Sequence, residues 1–417
     1  MSSEQLMPTN ERKEEEIPSY PFPFADHSLT CPAIYDRLRE TCPVARVHMP
    51  HGGDAYLLTR HADVVKAWTN PQCGVIQASD GDVPRREVSI LSGNSEMVSL
   101  MSVSDARHNQ TRRLVTGAFT VKAANELAPR VEEVTNALVD TMERKGPPAD
   151  LFEDYAIQTP MTVICEMLGV PREDEPRFRQ WGRVIVSQTM SAEERLEQWR
   201  EMNAYLLPLV EQERKNPGNT VLGILVKAYE QGDDVITQQE LLSFAAALIG
   251  AGFETVSTTF INSAFILLQR PDLIAQLRER LDDPERLSRA VEEILRITPI
   301  GLGRPRIARA DVTLSGTTIH TGEVMMLDIL AANRDESVFP HAHEINFDRE
   351  PNPMVTFGRG IHACLGQQIA RMELRVLWST LLRRLPDIRL AVSPEEVPWR
   401  PNDSATFGPA HLPVTWG

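Results

Sequence analysis

Apolar residues recur three and four apart over much of the chain, the spacing that gives a helix one buried face. Asp105 to Phe119 reads as helix, and residues 122–145, 151–168 and 171–213 follow as helix after helix. Gly146-Pro147-Pro148, Gly169-Val170-Pro171 and Asn216-Pro217-Gly218 separate them as short backbone breaks. A capping box, Thr237-Gln238-Gln239-Glu240, opens a longer helix that should stop before Pro271. Its ~33 residues would span ~50 Å, enough to cross the molecule. Asp283-Pro284 starts another helix, running to Ile297. Nearer the N-terminus, Cys31 to Thr41 and Ala62 to Trp68 have helical spacing, and Ala55 to Thr59 reads as a strand. Arg306 to Leu327 alternates as strands do. Residues 71–99 and 333–356 lack periodicity and predict long loops, the first of them mobile. Gln367 to Leu377 predicts a helix, and residues 385–416 closing strands. The chain should therefore be mainly α with small β-sheets.

No repeat or shift of composition divides this pattern. Residues 17–417 are expected to form one domain behind a polar, disordered tail of residues 1–16. A formal charge of −15 argues against nucleic acid or an anionic membrane as partner. The first 16 residues have no basic start and no apolar stretch, and the longest near-apolar run, Leu241 to Phe253, is too short to span a bilayer. Cys31, Cys42, Cys73, Cys165 and Cys364 are scattered, without a C-x-x-C pair, so neither a disulfide framework nor a zinc site is indicated. The expectation is a protein of the cytoplasm.

Chemistry concentrates at Phe357-Gly358-Arg359-Gly360-Ile361-His362-Ala363-Cys364-Leu365-Gly366, a glycine-punctuated loop that delivers one cysteine to the start of a helix. There the thiol faces free N–H groups and the positive end of the helix dipole, which favours the thiolate. Gly366 would let a flat ligand pass close to the backbone. Such a thiolate can be a nucleophile, a metal ligand or an axial ligand to haem iron. Two other readings are a buried structural cysteine and a dinucleotide fingerprint, Gly358-x-Gly360-x-x-Ala363. Against the second, position 378 is Trp inside a helix and not an acidic strand end. Elsewhere, His108 and Arg112 share a helix face, as do Glu293 and Arg296. Glu254-Thr255 ends the apolar run of the long helix, where an acid costs stability unless it finds a partner.

The spacing Phe357, Gly360, His362, Cys364, Gly366 resembles the haem-binding signature of the cytochrome P-450 monooxygenases. Ala251-Gly252-Phe253-Glu254-Thr255 is similar to that family's central-helix motif. The resemblance implies the helical prism of cytochrome P-450 and a haem b ligated by Cys364. Phe357, Gly358 and Gly366 would lie about the haem, with His108, Arg112, Arg306 and His362 on its propionates. Thr255 would handle dioxygen by hydrogen bonds, and Glu254 would connect it to bulk solvent as a proton relay. Glu293, Arg296 and Arg349 would form a structural lock. The pocket would be walled by residues 90–98, by Ala247, Leu248 and Ala251, by Ile300, Gly301 and Leu302, and by Ala405 and Thr406. Small residues there suggest a fairly large, mostly apolar substrate, a secondary metabolite of the polyketide, terpenoid or peptide-derived kind.

The implied reaction is hydroxylation or epoxidation with O2 and two electrons. Oxidative coupling or ring closure without oxygen insertion is the alternative, and a non-enzymatic haem sensor would not need Glu254-Thr255. Electrons would come from a ferredoxin and ferredoxin reductase, with Arg107, Arg113, Arg359, Arg371 and Arg375 as candidate docking cations and the chain as a monomer.

Overall fold

A computed structural model describes residues 17–86, 105–186, 190–298, 300–301, 303–400 and 406–417. Its axis is the helix Gln238–Leu267. The capping box forms in full: the Glu240 N–H donates to Thr237 Oγ1 at 3.2 Å, and the Thr237 N–H donates back to Glu240 Oε2 at 2.8 Å. Against this helix pack Gln158–Leu168, Glu175–Val186, Ala192–Lys215, Val221–Tyr229 and Gln367–Arg384. Gly252 permits one close approach, since a Cβ there would lie 2.9 Å from the Ile164 side chain. The helix is long and apolar enough to cross a membrane, but 72% of its most apolar window is buried inside the protein. It is a core helix.

Small sheets complete the fold. Five strands run in the order Val44–His48, Asp54–Leu58, Val324–Leu327, Arg304–Ala308 and Cys73–Gly74. The first two form an antiparallel hairpin, Val44 opposite Leu58, and the second pairs parallel with the third. A hydrophobic layer lies on each side: Tyr35, Val47 and Leu57 on one, Val64, Leu58 and Met325 on the other.

Most predicted elements stand, with shifted limits. The helix after the cysteine loop runs on from Leu377 to Arg384, burying Trp378, Leu381 and Leu382. Residues 385–416 hold less strand than expected: Arg389–Leu390 and Pro413–Thr415, in a three-stranded sheet with Ala149–Asp150. Pro271 does mark the end of the central helix, and it is also the first residue of a further helix, Pro271–Arg278. There its missing N–H costs nothing. Val221–Tyr229 and Val44–His48 went unpredicted.

Candidate functional site

The cysteine loop is a built turn. Gly358 and Gly360 have φ of +69° and +71°, left-handed values that a side chain resists. The Cys364 N–H donates to the Phe357 carbonyl at 2.7 Å, closing the loop, and Gly366 caps the helix that follows. The Arg371 guanidinium lies 4.5 Å from the centre of the Phe357 ring. Cys364 retains accessible surface although protein atoms surround it closely. Burial raises the thiol pKa, against the Gly366 N–H and the charges of Arg112, Arg304 and Arg371, which lower it. The expectation that the helix start alone favours a thiolate is thus corrected, because desolvation wins. A coordinated cation would reverse that balance, since metal-bound thiols are deprotonated outright.

Around this thiol the polar side chains are incompletely satisfied. His108 and His362 stack with ring centres 4.2 Å apart. His362 Nε2 is 2.9 Å from Asp105 Oδ1, while Nδ1 of each histidine is buried without a hydrogen-bond partner. Burial first, then His362 and Arg112, push the His108 pKa down to about 4. Arg306 is buried, yet its one hydrogen bond among the described residues goes from Nη1 to the neighbouring Pro305 carbonyl at 2.8 Å. Burial and then Arg304 bring its pKa down to about 10. Arg112 is half-buried and has no hydrogen bond from its guanidinium among the described residues.

The central helix opens toward a recess along one stripe. Between Leu241 and Phe265 every residue is buried except Ala247, Leu248, Ala251, Gly252 and Thr255. Their spacing of three and four puts them on one face. Thr255 Oγ1 donates to the Ala251 carbonyl at 2.8 Å. Glu254, beside it, is 6% exposed. Its Oε1 accepts from Arg400 Nη1 at 2.8 Å. The acid expected to act as a relay to bulk solvent thus also meets an arginine that the sequence reading did not single out. Ile300 and Gly301 are half-buried, as a pocket wall could be. Thr406 is 6% exposed, and its hydroxyl accepts from Arg400. Leu302, Ala405 and residues 90–98 lie outside the described residues.

Glu293, Arg296 and Arg349 come together as expected. Both side chains of the Glu293–Arg296 pair are fully buried and 2.7 Å apart, and Arg349 Nε donates to the same carboxylate at 3.1 Å. Of the docking candidates, Arg107 is tied to Glu240 and Arg371 to Glu292. Arg359 donates to the Pro353 carbonyl at 2.9 Å, and Arg375 is half-buried. Only Arg113 is fully exposed among the five.

A cysteine at a helix start and a helix face with a threonine are compatible with a haem-thiolate enzyme, and the chain belongs to the cytochrome P450 family. The family profile, Cytochrome P450, matches residues 75–408. The chain is 40% identical to the mycinamicin IV hydroxylase/epoxidase of Micromonospora griseorubida, over 95% of this chain and 98% of that protein. It is 38% identical to nocardicin C N-oxygenase of Nocardia uniformis, again over 95% and 98%. The crystal structure of LnmA, the cytochrome P450 hydroxylase of the leinamycin pathway in Streptomyces atroolivaceus, superposes with a TM-score of 0.86 at 39% identity, covering 96% of this chain and 100% of that one.

The protein is a bacterial biosynthetic-type P450 monooxygenase, with haem b as cofactor, and it takes electrons from a redox partner to oxidise a small molecule with O2. The residues present fit that cofactor. A Cβ at Gly366 would meet no protein atom within 4 Å, so the backbone there is open to a flat ligand. The unpaired donors of His108, Arg112 and Arg306 suit a ligand that carries two carboxylates.

Proposed function

We propose that Cys364 is the axial thiolate, that Arg112, Arg306, His108 and His362 hold the haem propionates, and that Thr255 with Glu254 delivers protons to a large apolar substrate's oxidation. When bound, haem supplies dioxygen activation and oxygen transfer. The balance is one O2, two electrons and two protons for one oxygen in the product and one water. This chain's share is to place the reactants, exclude bulk water and pass those protons. Thr255 holds its hydroxyl on the Ala251 carbonyl until an acceptor competes for it. Glu254 keeps a carboxylate one residue away, inside the protein.

The observation that carries this reading is the accessible stripe Ala247, Leu248, Ala251, Gly252, Thr255 on an otherwise buried helix. Four of its five members are small or polar, which leaves width for a large ligand whose contacts are mainly apolar. The names of the mycinamicin and nocardicin relatives support a secondary metabolite as that ligand. For electron supply we infer a ferredoxin with its reductase, approaching a cytoplasmic monomer near exposed Arg113.

Two substitutions test the site. Cys364→Ala should abolish the red-shifted Soret band of the reduced carbon monoxide complex. Ala247→Phe should keep that band but weaken the spectral shift caused by large ligands, or move the position they are oxidised at. The product should weigh one oxygen more than the substrate. A band that survives Cys364→Ala, or binding and products untouched by Ala247→Phe, would overturn the respective assignment.

A further inference from the structure

Arg400 lies 146 residues after Glu254 and outside both motifs of the site. Its Nη1 donates to Glu254 Oε1 at 2.8 Å, to Thr258 Oγ1 at 2.9 Å and to Thr406 Oγ1 at 2.6 Å. The guanidinium lies 5.2 Å from the centre of the Phe152 ring, and its side chain is 10% exposed. The bond to Arg400 therefore fixes the direction of the Glu254 carboxyl group. The clamp is one-sided: Glu254 Oε2 has no hydrogen bond among the described residues. That leaves one carboxylate oxygen anchored and one able to exchange a proton.

Thr258 adds a second tie on the central helix, its hydroxyl 3.5 Å from Glu254 Oε1. Thr406 belongs to the C-terminal turn, which Asn262 of the same helix also holds, through the Phe407 carbonyl at 2.9 Å. Nη1 carries two hydrogens for three acceptors, so a stronger bond to one acceptor weakens another. Displacement of Thr406 would therefore be felt at Glu254.

We propose that Arg400 is a positioning residue for proton delivery: it clamps Glu254 through Oε1 and ties that clamp to the C-terminal turn through Thr406. This rests on the proton-delivery role given above to Glu254. What it adds is the residue that governs the acid and the turn through which a bound substrate could adjust it.

The test measures, in the haem-loaded enzyme, the fraction of electron donor that ends in product and the fraction that ends in hydrogen peroxide. It uses Arg400→Met, Arg400→Lys, Glu254→Gln and the double variant Arg400→Met/Glu254→Gln. Arg400→Met should leave the carbon monoxide spectrum and substrate-induced spectral shift in place while lowering coupling about ten-fold, less than the roughly 100-fold or more that loss of the proton-transfer group itself would cost. Arg400→Lys should recover part of the coupling, and Thr406→Val should lose a smaller part. In the Glu254→Gln background, Arg400→Met should have no further effect.

If Glu254→Gln alone couples normally, the proton-delivery reading falls and this inference falls with it. If Glu254→Gln uncouples but Arg400→Met does not, or the two losses multiply in the double variant, only the role of Arg400 is overturned. Should Arg400→Met fail to bind haem, the comparison of Arg400→Lys with and without Glu254→Gln decides in the same way.

Discussion

Two sets of arginines shielded from solvent, Arg296 on one side and Arg306 with the half-buried Arg112 on the other, have surroundings that differ in kind. Arg296 spends all of its N–H groups inside the protein. Nε and Nη2 donate to Glu293 at 2.8 and 2.7 Å, and the rest go to the carbonyls of Asn333, Ala342 and Glu344. Among the described residues, by contrast, Arg306 donates only to the carbonyl beside it and Arg112 to nothing, and no carboxylate there meets either guanidinium. A saturated cation holds a fold together, whereas a buried cation left short of acceptors waits for a ligand that brings them. The contrast supports the carboxylate-binding face proposed above.

The largest effect should come from breaking the saturated cluster. Arg296→Met strands the Glu293 carboxylate with Arg349 as its remaining guanidinium partner, and Glu293→Gln strands two buried arginines. Loss of one partner from a buried pair costs about 3–5 kcal/mol. Chemical denaturation of the haem-loaded protein should show that loss for either variant, or yield no folded protein. A midpoint shift below about 1 kcal/mol would mean the cluster is not the lock its geometry describes.

Arg306→Ala and Arg112→Ala should act on the other side of the contrast. Each removes a charge-assisted bond to the ligand, worth about 1.5–3 kcal/mol, so haem should leave roughly ten-fold faster or more. Haem-free protein should be as stable as before, because neither arginine has an internal carboxylate to desert. Haem transfer to an acceptor globin and thermal unfolding of the haem-free chain separate the two effects. Equal destabilisation of loaded and haem-free protein would place these arginines with Arg296.

Much of this was legible in the sequence. Each signal that succeeded was local: Thr237 and Glu240 three apart, Asp283 before Pro284, the ten-residue cysteine loop, and Glu293 with Arg296. Val221–Tyr229 failed because Val221, Leu222, Gly223, Leu225, Val226 and Ala228 are all buried, so no polar face marks its period. Pro271 was read only as a stop. The Arg400 contact could not be read at all, since a lone arginine near the C-terminus carries no mark of the carboxylate it will meet. The same holds for Arg107, whose exposed-looking place in a polar helix hides its pairing with Glu240. Pairings across long loop closures are properties of the fold, and only the short-range half of the site was written into motifs.

Glu373 sharpens the comparison from the acidic side. It is buried on the helix that follows Cys364, and burial alone raises its pKa to about 8. Glu293 has two guanidinium groups, and Glu373 has no ion pair among the described residues. Substitution by glutamine should therefore have opposite signs at the two sites. A raised carboxyl pKa contributes its full stability below the unfolded value of 4.5 and loses it as pH rises through the folded value. Unfolding stability of the parent should thus decline between about pH 4.5 and pH 8 through this group. Glu373→Gln cannot ionise and should escape that part of the decline. Its advantage should be absent near pH 4.5 and small at pH 5.5, where one unit above the unfolded pKa is worth about 1.4 kcal/mol. It should keep growing toward pH 8. Denaturation midpoints of the two proteins, taken at three pH values across that window, read the difference directly. If the advantage does not grow with pH, Glu373 is ionised in the folded protein, and some cation pairs with it as Arg296 pairs with Glu293.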